Sequence, residues 1–138
     1  MTFTKCVWLV ALLVVLYGCS AHSPFIATST TDVTQVAEKK YPPHQNRVFV
    51  TTQPFPASAR YEVLGKLDVG KVWYGSSHKV LQSLADGARE LGADAVVEVK
   101  TWHQPSGWSW AAPHGSGKAV KITDLSSVDF STLTGEWK

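Results

Sequence analysis

Cysteine is nearly absent from this chain: 138 residues contain two, Cys6 and Cys19. Two cysteines cannot build a four-thiolate zinc site. Histidine is sparse as well, and no HxxxH or HxH pair occurs among the five. There is no G-x-S-x-G elbow, no Walker-type glycine loop and no HExxH. Asp86 and Glu90 stand four apart as a solvated helix face would place them, and no other carboxylates pair convincingly. The expectation is a protein that is not an enzyme. Excess charge is missing too. Thirteen basic residues face eleven acidic ones without a polybasic run, so the counterion release that drives nucleic-acid binding has no source. The length suits one domain.

A membrane-spanning run is also lacking. Residues 7–17 are apolar and uncharged, but eleven residues fall short of the about 20 needed to cross a bilayer. They match a signal-peptide core, which is roughly 7 to 15 residues long. A buried helix would need a polar face, and this run has none.

The run ends in Leu16-Tyr17-Gly18-Cys19, which resembles the lipobox of bacterial lipoprotein precursors. That resemblance implies cleavage before Cys19, a diacylglycerol thioether on its sulfur and an acyl chain on the new amine. No other cofactor is expected. Two or three acyl chains anchor stably to the lipid bilayer where one holds marginally. Ser20 stands where the family's inner-membrane retention signal has aspartate, so the resemblance favours the outer membrane. Cleavage removes Cys6, and Cys19 is left without an intramolecular disulfide partner.

Four segments follow: residues 1–18 as signal peptide, 19–46 as lipidated cysteine and flexible tether, 47–123 as a small α/β domain, and 124–138 as a tail. The tether is rich in Ser, Thr, Pro and Ala without sustained periodicity. A brief helical turn is expected over residues 33–40, and His22 and His44 are expected to be solvated. In the domain, residues 47–52 and 61–69 read as strands. The alternation of the second places Tyr61, Val63, Leu67 and Val69 on one face, with Gly65 marking a bulge or a close approach by the helix. Ser76 and Ser77 open a helix whose apolar residues are Val80, Leu81, Leu84, Ala85, Ala88 and Leu91, and Gly92 closes it. Residues 95–102 and 118–123 read as further strands, separated by a long loop. The fold class is therefore α+β: a small mixed or antiparallel-rich sheet in the order β-β-α-β-β, with one helix on one face. Phe130, Leu133 and Trp137 argue that the tail docks.

The segments VFVTT, YEVLGKL, ARELGADAVVEV and SGKAVKI resemble the small α/β domain shared by the Rcs stress-sensing outer-membrane lipoproteins and the YbjQ-like domains described as heavy-metal-binding. The resemblance covers residues 48–122. It speaks for the fold more than for an activity; with no catalytic motif in the chain, the expected function is a non-enzymatic binding or sensing module, with envelope stress sensing or upkeep as its context. An envelope protein is the expected partner, and the YbjQ-like group implies ring-shaped homo-oligomers. The sensor domain carries two disulfides where this one has no cysteine.

The candidate site is the loop of residues 102–117, which carries Trp102, His103, Trp108, Trp110 and His114. Such aromatics can stack on sugars, touch lipid headgroups or grip a protein. The plainer expectation is that two of them fold back over the open face of a small sheet. A metal or small ligand held by His78, His103 and His114 is the alternative, since imidazoles suit zinc, copper or nickel. Loop histidines are more often solvated, and no metal is expected.

Overall fold

The computed structural model describes residues 29–35, 38, 41–107 and 109–138. The signal peptide, Cys19, His22 and Trp108 lie outside them. Among the described residues the chain forms an α+β fold of six strands and one main helix: β1 (Ser29–Gln35), β2 (Phe49–Thr51), β3 (Arg60–Lys71), α1 (Ser77–Glu90), β4 (Ala95–Ser106), β5 (Ser109–Asp124) and β6 (Gly135–Trp137). The sheet order is β1-β3-β5-β4-β2-β6. All neighbours are antiparallel except β2 and β4, so the sheet is mixed. The β3-α1-β4 crossover spans β5, which lies between its two strands, in a split β-α-β arrangement.

Three expectations are corrected here. Residues 29–35, expected within the flexible tether, form a strand: β1 pairs with β3 from Ser29 opposite Lys71 to Gln35 opposite Gly65. No helical turn forms over residues 33–35, since backbone pairing with the β3 edge offers those groups better partners. His44 is not a solvated linker residue. Its Nε2 lies 2.8 Å from the Ala93 carbonyl, and its amide donates to the Arg89 carbonyl at the helix end.

Helix α1 forms as its periodicity dictates. Val80, Leu84, Ala85 and Ala88 are buried on one face. Gly92 closes it in the left-handed region at φ 75°, with its N–H on the Arg89 carbonyl and the Ala93 N–H on the Ala88 carbonyl. The first core layer lies between helix and sheet and includes Leu67, Val69, Val96 and Val99.

A second core layer fills the other face, where Phe49, Phe55, Val97, Val120, Ile122 and Val128 are buried. The tail covers it. Two short 3-10 turns, Leu125–Ser127 and Phe130–Thr132, lead into β6, which pairs with β2. Val48 and Lys138 exchange both backbone hydrogen bonds. The tail thus docks, and it supplies the sixth strand.

Two bulges decide which side chains each layer receives. On β3 the register slips between Val63 and Gly65. Val63 joins the second layer, whereas Leu67 and Val69 join the first. The single face expected for Tyr61, Val63, Leu67 and Val69 is therefore split, because one extra residue inverts the two-residue alternation. The bulge falls at Gly65 as expected, but the tightest approach comes from β1 and not from the helix: a Cβ there would stand 2.9 Å from the Thr34 carbonyl oxygen and 3.3 Å from Leu91 Cδ1 at the helix end. On β4 the extra residue is Glu98, left-handed at φ 54°, and it turns Val97 and Val99 to opposite faces.

Asp94 ties the start of β4 to β5. It accepts from the Ile122 amide at 3.0 Å and from Lys121 Nζ at 2.8 Å. Replacing it by Ala leaves the half-buried Ile122 amide without its acceptor and takes from Lys121, which also sits over the Tyr41 ring, its carboxylate. Asp94→Ala is expected to lower unfolding stability by about 2 kcal/mol, read as a shifted urea midpoint at unchanged m-value.

Candidate functional site: an exposed aromatic end

The site residues expected on a loop sit on a hairpin. Strands β4 and β5 stay paired from Thr101 opposite Gly115 to Ser106 opposite Ser109. Pro105 falls where the register slips between Gln104 and Ser106, so its missing N–H interrupts no regular ladder. The turn rests on the end of β3, because a Cβ on Gly107 would strike Val72 Cγ1.

This hairpin carries its aromatics outward. Trp110 is 82% exposed, and Trp102 is 39% exposed. Trp110 does not fold back over the sheet, and the tail already fills the half of that face that is apolar. Trp102 lies along the uncovered half, with its Nε1 donating to Gln104 Oε1 at 2.8 Å and its ring stacked on His114 at 6.0 Å.

Two residues join the site that the sequence reading missed. Trp73 and Tyr74, each 57% exposed, occupy the connection between β3 and α1. Their rings meet edge-on at 6.4 Å, and Tyr74 Oη lies 3.5 Å from the Trp110 amide. The available signal was position. Both fall after the β3 alternation has ended and before the helix cap, where no apolar layer awaits them.

The uncovered half of the sheet beside the aromatics is polar. Lys66 pairs with Asp68 at 3.0 Å, and Lys118 pairs with Glu98 at 2.8 Å. A shallow depression of about 240 Å³ lies among Lys66, Glu98, Lys100 and Lys118. Its lining holds three lysines to one glutamate, and the two exposed ion pairs at its rim are of the kind found on an ordinary solvated face. Nearer the aromatic end stands Lys71, bonded to Ser83 Oγ at 3.0 Å. Partial burial, together with the Lys79 charge, holds Lys71 below the usual lysine range, while Asp86 opposes them.

The histidines do not converge. His78 Nδ1 lies 3.1 Å from Lys138 Nζ, His103 is exposed opposite Pro113, and His114 stacks on Trp102. His114 Nε2 is buried without a hydrogen-bond partner. No group of three metal-ligating side chains occurs among the described residues. Family models, curated proteins and solved structures yield no match to this chain.

Proposed function

We propose that this protein is a lipid-anchored lipoprotein of the bacterial envelope, favoured to reside in the outer membrane, whose small α+β domain is a non-enzymatic binding module. It works by contact rather than by reaction, with envelope stress sensing or upkeep as its context. The observation that carries this reading is the aromatic end. Trp110 stands exposed on the paired hairpin, and Trp73 and Tyr74 stand exposed beside it on the short connection between β3 and α1. Large rigid aromatics held this way lose little side-chain entropy when covered, which makes them good contact residues. The N-terminal pattern ending at Cys19 supplies the address.

The anchor is tested directly by growing cells on labelled palmitate. The native chain is expected to take up label and fractionate with membranes, whereas Cys19→Ala shows background label only. Equal labelling of the two forms would exclude Cys19 as the lipidated residue. The protein partner is sought by crosslinking intact envelopes and recovering the native chain. Recovery of no species beyond those seen with Cys19→Ala would count against a protein partner.

A further inference from the structure

We infer that the aromatic end is the surface this domain sets on a bilayer: Trp73, Tyr74 and Trp110 enter the headgroup layer, with Lys71 and Lys79 beside the lipid phosphates. The inference rests on the lipoprotein reading above and names the component that this end meets.

The first support is where the chain enters the sheet. Ser29 pairs with Lys71, two residues before Trp73, so the chain leading back to Cys19 leaves the domain at its aromatic end. Ten residue steps separate Cys19 from Ser29. At full stretch they reach about 35 Å, and as a relaxed coil about 17 Å. An unpaired chain as far as Val48 would instead let the domain range about 100 Å from its anchor in any orientation. Pairing of β1 shortens the leash and fixes which end it holds nearest the lipid.

The second support is chemical. Tryptophan and tyrosine favour the membrane–water interface, where an apolar ring and a polar N–H or O–H are both satisfied. The exposed cluster is of that composition. Its neighbours in the chain carry no acid: residues 69–85 hold Lys71 and Lys79 and no Asp or Glu, and residues 101–115 hold no charged side chain of either sign apart from the histidines. Asp68 on β3 and its partner Asp32 on β1 stand further along the sheet from the aromatic end than Lys71, and Asp86 on α1 offsets part of the repulsion between Lys71 and Lys79. A surface of this sign suits anionic headgroups.

The third support is the arrangement of the rest. The tail, its aromatic layer and the Lys138 terminus gather around β2 and β6, on the far side of the sheet from β1. With the aromatic end seated on lipid, the tail and the polar sheet face remain available to a protein partner.

The test uses the mature acylated protein reconstituted in vesicles whose lipids carry bromine on the acyl chains. Bromolipid is expected to quench the tryptophan emission of the native protein. The fraction quenched should fall at least twofold in a Trp73→Ser, Trp110→Ser double variant. Both positions are exposed, and an unchanged melting temperature checks that the variant folds. Equal quenching of native and variant overturns the inference while leaving the anchor intact. A vesicle-bound native protein with no quenching does the same, and is the result expected if the aromatics grip a protein instead. A chain that takes up no palmitate overturns the anchor reading and this inference with it.

Discussion

Gly92→Ala is expected to lower unfolding stability by about 3 kcal/mol, and Gly92→Asn by nearly as much. Two separate costs meet at this position. The left-handed backbone, at φ 75°, costs an ordinary residue roughly 1–2 kcal/mol. Space costs more. A Cβ here would stand 2.6 Å from Tyr41 Cβ and 2.7 Å from the Pro42 carbonyl oxygen. Both lie on or beside backbone, so no rotamer change relieves them, and overpacking of this kind adds roughly 1–3 kcal/mol. Asparagine separates the two terms, because it tolerates the left-handed region yet still carries a Cβ. Urea denaturation of the three proteins provides the measurement. If Gly92→Asn stayed close to the native midpoint, the conformational cost alone would govern and the steric account would be wrong. A domain of ordinary stability, about 5–15 kcal/mol, would survive either change in weakened form.

Phe49→Ala is the other large effect, expected at about 3–5 kcal/mol. The Phe49 ring is the hub of the second core layer. It meets Phe130 at 5.0 Å and Trp137 at 5.2 Å, and its edge lies against Gly135. All three partners belong to the tail. Truncation therefore removes a buried ring and also the surface on which β6 seats. Amide exchange should rise first across residues 125–138, while α1, which packs on the opposite face, keeps most of its protection at low denaturant. Uniform loss of protection across helix and tail would show that the two layers unfold as one unit and that the tail has no separable stability.

Much of the helix layer was readable from residue order. The three- and four-residue spacing of Val80, Leu84 and Ala88 needs only one apolar partner surface, and the Gly92 closure is a local backbone requirement. The run Ala95-Val96-Val97 likewise declares a strand buried on both faces. Strand β1 was not readable. Its sequence, STTDVTQ, has one large apolar residue, Val33, and that residue is exposed. It is a strand because the β3 edge offers it a ladder. The hairpin of residues 102–113 was hidden by Pro105, Gly107 and Pro113, which read as breakers when their partners are unseen. Trp102, His103, Trp110 and His114 were picked out by composition, but Trp73 and Tyr74 were missed, because their neighbourhood with Trp110 is made between distant parts of the chain.

Residue order by itself determined what depends on near neighbours: the apolar run before Cys19, the helix and its glycine stop, the β-branched strands and the α+β class. The tertiary structure alone decided what depends on pairing across the chain. It set the bulge at Glu98 and decided which layer each side chain enters, and it made the docked tail, whose aromatics had announced docking, into a strand on β2. It also recruited β1, which brings the chain into the sheet beside Trp73 and Tyr74. The reason is physical: a backbone edge pairs with whatever segment the fold brings to it, and short-range residue patterns do not encode which segment that is.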